Sequence, residues 1–165
     1  MSSRKKPAST PSIRHSTHIS DLETHIGFWL RFVSNHVSGQ FRRRVEAHGV
    51  SVSEWVALRQ LFTANGTSAS ALMDALGMTK GAVSKIVTRL EAKGLIERAA
   101  DTTDRRAQSL VLTTAGRALV PTLAQEADEN DAAFFGHLTP AQQQRLIATM
   151  QDIVRQHGLK EIPVE

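Results

Sequence analysis

Met78-Thr79-Lys80-Gly81-Ala82-Val83-Ser84-Lys85-Ile86-Val87-Thr88-Arg89-Leu90-Glu91-Ala92-Lys93-Gly94-Leu95-Ile96-Glu97-Arg98 is the stretch on which the fold turns. Its first part has a helical period: Val83, Ile86, Val87 and Leu90 share one face. Lys80, Gly81, Ser84, Lys85 and Thr88 fall largely on the other side. Gly94 is suited to end this helix, because the residue after a helix often takes a positive φ that only glycine adopts without strain. The period then changes. Leu95-Ile96-Glu97-Arg98 is short and β-prone, and Leu110-Val111-Leu112 repeats that character after a polar, charged stretch from Ala99 to Ser109. Two short strands around such a loop predict a hairpin with a projecting tip.

Working upstream, Gly77-Met78 alone separates this helix from a shorter one predicted from about Thr67 to Leu76. So tight a connection suits a helix-turn-helix. An earlier helix starts at Ser53 and carries Val56, Leu58, Leu61 and Phe62 up to Gly66. Before it, Ser20-Asp21-Leu22-Glu23 fits a capping box with Ser20 as N-cap. Leu22, Ile26, Trp29, Val33, Val37, Phe41 and Val45 then recur at helical spacing up to Gly49. Downstream, Thr113 or Thr114 caps a helix reaching about Phe135. Pro121 is expected to kink that helix or to mark a weak first turn. Thr139-Pro140-Ala141-Gln142 opens a last helix with Leu146, Ile147, Met150, Ile153 and Val154 on one face.

The order predicts a mainly α fold with a small β-hairpin wing. Residues 51–113 form a winged helix-turn-helix, and 19–50 with 114–158 form a helical dimerisation region. Apolar stripes on three long helices exceed what a small winged domain needs, which favours a homodimer. Residues 1–18 read as a disordered basic tail and 159–165 as a C-terminal tail.

Charge is distributed unevenly. Residues 1–18 hold Arg4, Lys5, Lys6 and Arg14 with no acid, so they carry the whole net charge of +4. From Thr79 to Arg106, seven basic residues face four acids, whereas from Glu126 onward seven acids face three bases. Positive charge in the middle and negative charge late fits one face for a polyanion and another turned away from it. The absence of cysteine excludes disulfides, thiolate metal sites and thiol redox sensing. No apolar run approaches the ~18 residues of a membrane span. The N-terminal basic residues are not followed by an apolar stretch, so a cytoplasmic protein is expected.

The outward face of the Lys80 helix is small, hydroxylated and basic. Such a surface enters a major groove about 12 Å wide and donates to base edges and phosphates. The same composition also fits an ordinary solvated face, and the helix by itself does not decide. Asp101-Thr102-Thr103-Asp104-Arg105-Arg106 at the hairpin tip shifts the balance. Two guanidiniums there suit a narrow minor groove, with Asp101 or Asp104 pairing to orient one of them.

Taken in order, these pieces resemble the winged helix-turn-helix of the MarR family of transcription regulators. The resemblance rests on Ser53-Glu54-Trp55, on Met78 to Ser84, and on Leu90 to Arg98. Asp104-Arg105-Arg106 and Leu112-Thr113-Thr114-Ala115-Gly116 complete it. Thr102 stands where the family often has proline. The resemblance implies a two-fold dimer built from the first, fifth and sixth helices. It also implies a repressor, less often an activator, at a palindromic double-stranded operator, with DNA affinity that falls when a small-molecule effector binds. It places Thr79, Lys80, Gly81, Ala82, Ser84, Lys85 and Thr88 in the major groove. Arg105 and Arg106 are placed at the minor groove and flanking phosphates. Ser68 and Ser70 are further phosphate candidates, although capping is their commoner role.

Trp29, Phe32, His36, Trp55 and Arg59 are candidates for an effector pocket, since aromatic walls with a cation suit an aromatic carboxylate. For Trp29 and Trp55 a plain core role is the commoner one, since aromatics dominate cores. Seven histidines raise a zinc-responsive alternative, but they are scattered and form no H-x-x-x-H pattern. No metal or other cofactor is expected. Arg42-Arg43-Arg44 at the end of the first helix reads as structural. A hydrolase is disfavoured, with no Gly-rich phosphate loop, G-x-S-x-G or Cys nucleophile. A protein-interaction module on the same fold remains an alternative.

Overall fold

The computed structural model describes residues 19–64, 66–100 and 108–159. Its helices are α1 (Ile26–Glu46), α2 (Val52–Ala64), α3 (Ala69–Leu76), α4 (Lys80–Ala92), α5 (Thr114–Phe135) and α6 (Pro140–His157). Strands β1 (Ile96–Ala100) and β2 (Gln108–Leu112) lie between α4 and α5 and pair antiparallel. The register sets Ile96 opposite Leu112 and Ala100 opposite Gln108. This hairpin is the one sheet among the described residues of a mainly α fold, and its strands run further than the β-prone cores Leu95–Arg98 and Leu110–Leu112. Ala99 pairs with Ser109 despite the polar surroundings, because backbone pairing continues once register is set. Thr67 adds a one-residue bridge to β2, exchanging backbone bonds of 3.0 and 2.8 Å with Leu110.

The N-terminal capping box at Ser20 does not form. Asp21 instead caps a short 3-10 turn, Leu22–Thr24, and the chain turns extended at His25 before α1 begins. Local hydrogen bonds explain the delay. The Thr24 hydroxyl donates to the Asp21 carbonyl at 2.6 Å, and Trp29 Nε1 donates to the Glu23 carbonyl at 2.8 Å. These bonds satisfy carbonyls that a longer helix would have used. Farther on, the caps follow the sequence signals: Ser68, Thr79, Thr113 and Thr139 each accept from the backbone of the first turn they precede. Thr139 and Gln142 form a reciprocal capping box. Helix α5 runs on through Pro121, which is exposed.

One apolar core lies among α2, α3, α4 and the hairpin. Leu58, Leu61, Leu72, Leu90 and Leu110 are its fully buried centre, and Val45, Val120 and Leu123 join it from α1 and α5. Beyond this core, α1 packs along α5. Helix α6 buries none of its residues.

Candidate nucleic-acid interface

Helices α3 and α4 meet at Gly77, which is left-handed at φ 62°. That conformation makes the turn short and sets α4 across α3. Val83, Ile86, Val87 and Leu90 anchor one side of α4 in the core. Lys80, Gly81, Ser84, Lys85 and Thr88 are exposed on the other, with Ala82 half-buried between them. Thr79 caps the helix by accepting from the Ala82 amide at 3.3 Å. Thr88 donates to the Ser84 carbonyl at 2.9 Å. A Cβ built on Gly81 meets nothing within 4 Å, so packing within the chain does not require glycine there. Ser68 caps α3 by accepting from the Ala71 amide, and Ser70 is exposed on its first turn.

The acids nearest this face are engaged elsewhere. Glu91 Oε1 accepts from Arg98 Nε at 2.8 Å, tying α4 to β1. Glu54 is 1% exposed and lies behind α4. Its carboxylate accepts from Lys93 Nζ at 2.6 Å and from the Ser51 amide at 2.7 Å, and Arg89 Nε stands 3.6 Å away. Burial pushes the Glu54 carboxyl upward. The bonds from Lys93 and Ser51, with the charges of Lys93 and Arg89, outweigh it and hold the group below the usual carboxylate value. Lys93 also donates to the Gly49 carbonyl at 2.8 Å, so the end of α4 is fastened to the start of α2.

Two joints connect this lobe to the long helices. At the first, Thr113 donates its hydroxyl to the Gly94 carbonyl at 2.7 Å and its amide to the Leu95 carbonyl at 3.1 Å. Gly116 then passes so close to Leu95 that an added Cβ would stand 2.0 Å from its carbonyl oxygen. At the second, Arg44 reaches Glu126 at 2.7 Å and Glu129 at 3.1 Å, and His48 Nε2 meets Glu126 Oε1 at 2.9 Å. The His48 hydrogen bond and then the Arg44 bond lower the Glu126 carboxyl below its ordinary value.

Arg44 thus has the structural role expected of the arginine run, while Arg42 and Arg43 are exposed. Asp101, Asp104, Arg105 and Arg106 lie outside the described residues. Trp29, Phe32 and His36 form a chain of ring contacts on an exposed face of α1, whereas Trp55 lies in the core and Arg59 is exposed on α2. Among the described residues, no cluster of three or more His, Asp or Glu side chains is placed to hold a metal ion. No described helix is long and apolar enough to cross a membrane. Ser51-Val52-Ser53-Glu54 carries the S-x-x-E capping signal, which sequence reasoning missed, but nothing local announces the Glu54–Lys93 tie, thirty-nine positions apart. Ser51 and Glu54 do exchange the two bonds of a capping box. Nothing local announces the Arg44–Glu126–His48 group, which joins residues about eighty positions apart.

Comparison with known proteins gives a consistent result. A sequence model described as the MarR family matches residues 48–107. A putative transcriptional regulatory protein for the hcr operon of Thauera aromatica is 30% identical over 154 residues, covering 93% of this chain and 92% of that protein. The crystal structure of a probable transcriptional regulator from Pseudomonas aeruginosa superposes with a TM-score of 0.68 at 28% identity, covering 81% of this chain and 99% of that one. BpsR of Bordetella bronchiseptica, whose DNA binding is regulated by 6-hydroxynicotinic acid, shares the fold with a TM-score of 0.69 at 23% identity, over 82% of this chain and 96% of that one.

Proposed function

This chain belongs to the MarR family of transcription regulators and is not an enzyme, and from that premise we propose that it binds a palindromic operator in duplex DNA as a homodimer. It acts as a repressor released by a small aromatic acid. The observation that carries the DNA reading is the outward face of α4. Lys80, Gly81, Ser84, Lys85 and Thr88 are exposed there while the acids on neighbouring turns are paired away. A cationic ridge of short side chains approaches base edges without repelling phosphate. Arg105 and Arg106 extend that contact to the minor groove, steadied by Asp101 and Asp104. Thr79, Ala82, Ser68 and Ser70 complete the surface.

The dimer reading rests on the apolar faces of α1 and α6, which the described residues leave exposed. The ligand reading rests on the chain of ring contacts Trp29–Phe32–His36 and on the aromatic acid that regulates BpsR. The test is selection of a duplex by the purified protein, followed by mobility shift across salt. Binding should fall steeply as salt rises, because each neutralised phosphate releases counterions. Lys85→Glu should abolish the shift while leaving the melting temperature near wild type. A normal shift by that variant refutes the assignment. Release by aromatic acids but not by aliphatic ones supports the ligand class.

A further inference from the structure

Two shallow hollows flank the outward face of α4. One is lined by Ser53 and Thr79, among others, and the second by Ser84 and Thr88; Lys85 and Arg89 line both. Arg89 was not among the residues that periodicity or resemblance marked. Its side chain is 56% exposed even though its Nε stands 3.6 Å from the buried Glu54 carboxylate. That carboxylate is already matched by Lys93 at the much shorter 2.6 Å. One negative charge therefore faces two positive ones, and the charge of Arg89 is in surplus. Glu54 approaches the guanidinium from its Nε side, and the same side chain lines both hollows. The rim supplies the hydroxyls of Ser53 and Thr79 and the ammonium of Lys85, and among the described residues no carboxylate lines either hollow. Such a set matches an oxygen-rich monoanion that is fixed in place beside the groove.

We propose that Arg89 and Ser53 seat a backbone phosphodiester of duplex DNA in the hollow between α2 and α4, with Glu54 as the positioning residue that holds the guanidinium from behind. The inference rests on the DNA-binding reading and adds to it a contact outside the predicted recognition set. A phosphate seat carries no base information, so its loss weakens all duplexes alike.

Fluorescence anisotropy of the full chain, across a potassium chloride series, tests this with the selected duplex and a scrambled one. Arg89→Ala should weaken both duplexes by the same factor, about tenfold. It should also reduce the slope of log affinity against log salt by roughly 0.9 for each protomer engaged. Arg89→Lys should restore the slope, because the charge returns. Glu54→Gln should lower affinity in the wild-type background but not when Arg89 is already alanine. An Arg89→Ala protein with the wild-type slope, or one that loses only the selected duplex, overturns the phosphate seat. A wild-type protein that binds neither duplex at low salt overturns the DNA-binding reading itself, and this one with it.

Discussion

Helices α4 and α6 are both amphipathic, and they meet opposite fates. Over thirteen residues, α4 buries Val83, Ile86, Val87 and Leu90, each 2% exposed or less. Over eighteen residues, α6 buries none, and Leu146, Ile147, Ile153 and Val154 are 39–57% exposed. The first stripe is met by α2, α3 and the hairpin of the same chain. The second has no comparable cover among the described residues. An exposed apolar stripe of that kind marks an interaction surface. The winged lobe therefore fills its core within the chain, with Val45, Val120 and Leu123 of the long helices joining it, whereas the stripe on α6 stays open to the proposed second copy.

The largest effect should come from charging the uncovered stripe. Ile147→Asp with Val154→Asp removes two apolar side chains from each protomer's contact, at about 1.5–3 kcal/mol apiece. Sedimentation should show self-association weakened more than a hundredfold while the lobe still melts cooperatively. An unaltered dimer would show that α6 lies outside the interface, and the contrast with α4 would lose its meaning. Next comes the joint between the regions. Gly116→Ala forces a methyl onto the Leu95 carbonyl, so stability should fall by about 3 kcal/mol. For a chain of this size that is a drop of roughly 6–12 °C in the thermal midpoint. A drop under one degree would mean that the hairpin and α5 separate freely.

The smallest effect concerns pH. The folded-state value of Glu126 is lowered, so the unfolded chain takes up its proton first as pH falls. Its stabilisation is present above the ordinary carboxylate value and is lost as pH drops through the folded one. Thermal melts of Glu126→Gln between neutral pH and about pH 3 should show a shallower acid decline than wild type. Some decline should persist, because Glu54 is lowered in the same sense and is retained. Parallel acid limbs would mean that the α1–α5 joint adds nothing beyond packing.

The legible parts share one trait, which is that their signal is local. The Val83–Leu90 stripe, the glycine at the end of α3 and the Thr139 cap are each set within about one turn of chain. The same locality misled at Ser20, where a plausible box lost to the Thr24 and Trp29 hydrogen bonds. It also truncated the hairpin, since Ala99 and Ser109 pair only because their neighbours already do. For the candidate site, the outward residues of α4 could be named from periodicity. Arg89 could not, because one helical position describes both a core-facing and a groove-facing guanidinium until Glu54 is placed beside it.

Helix order, capping residues and the two faces of α4 were determined by the amino-acid sequence itself, because side-chain period and backbone propensity act between neighbours. Only the tertiary structure decided that Glu54 is buried against Lys93, that Arg44 and His48 share Glu126, and that among the described residues the apolar stripe of α6 stays exposed. Charge pairing and burial depend on distances between segments far apart in sequence, and these exist only once the helices have packed.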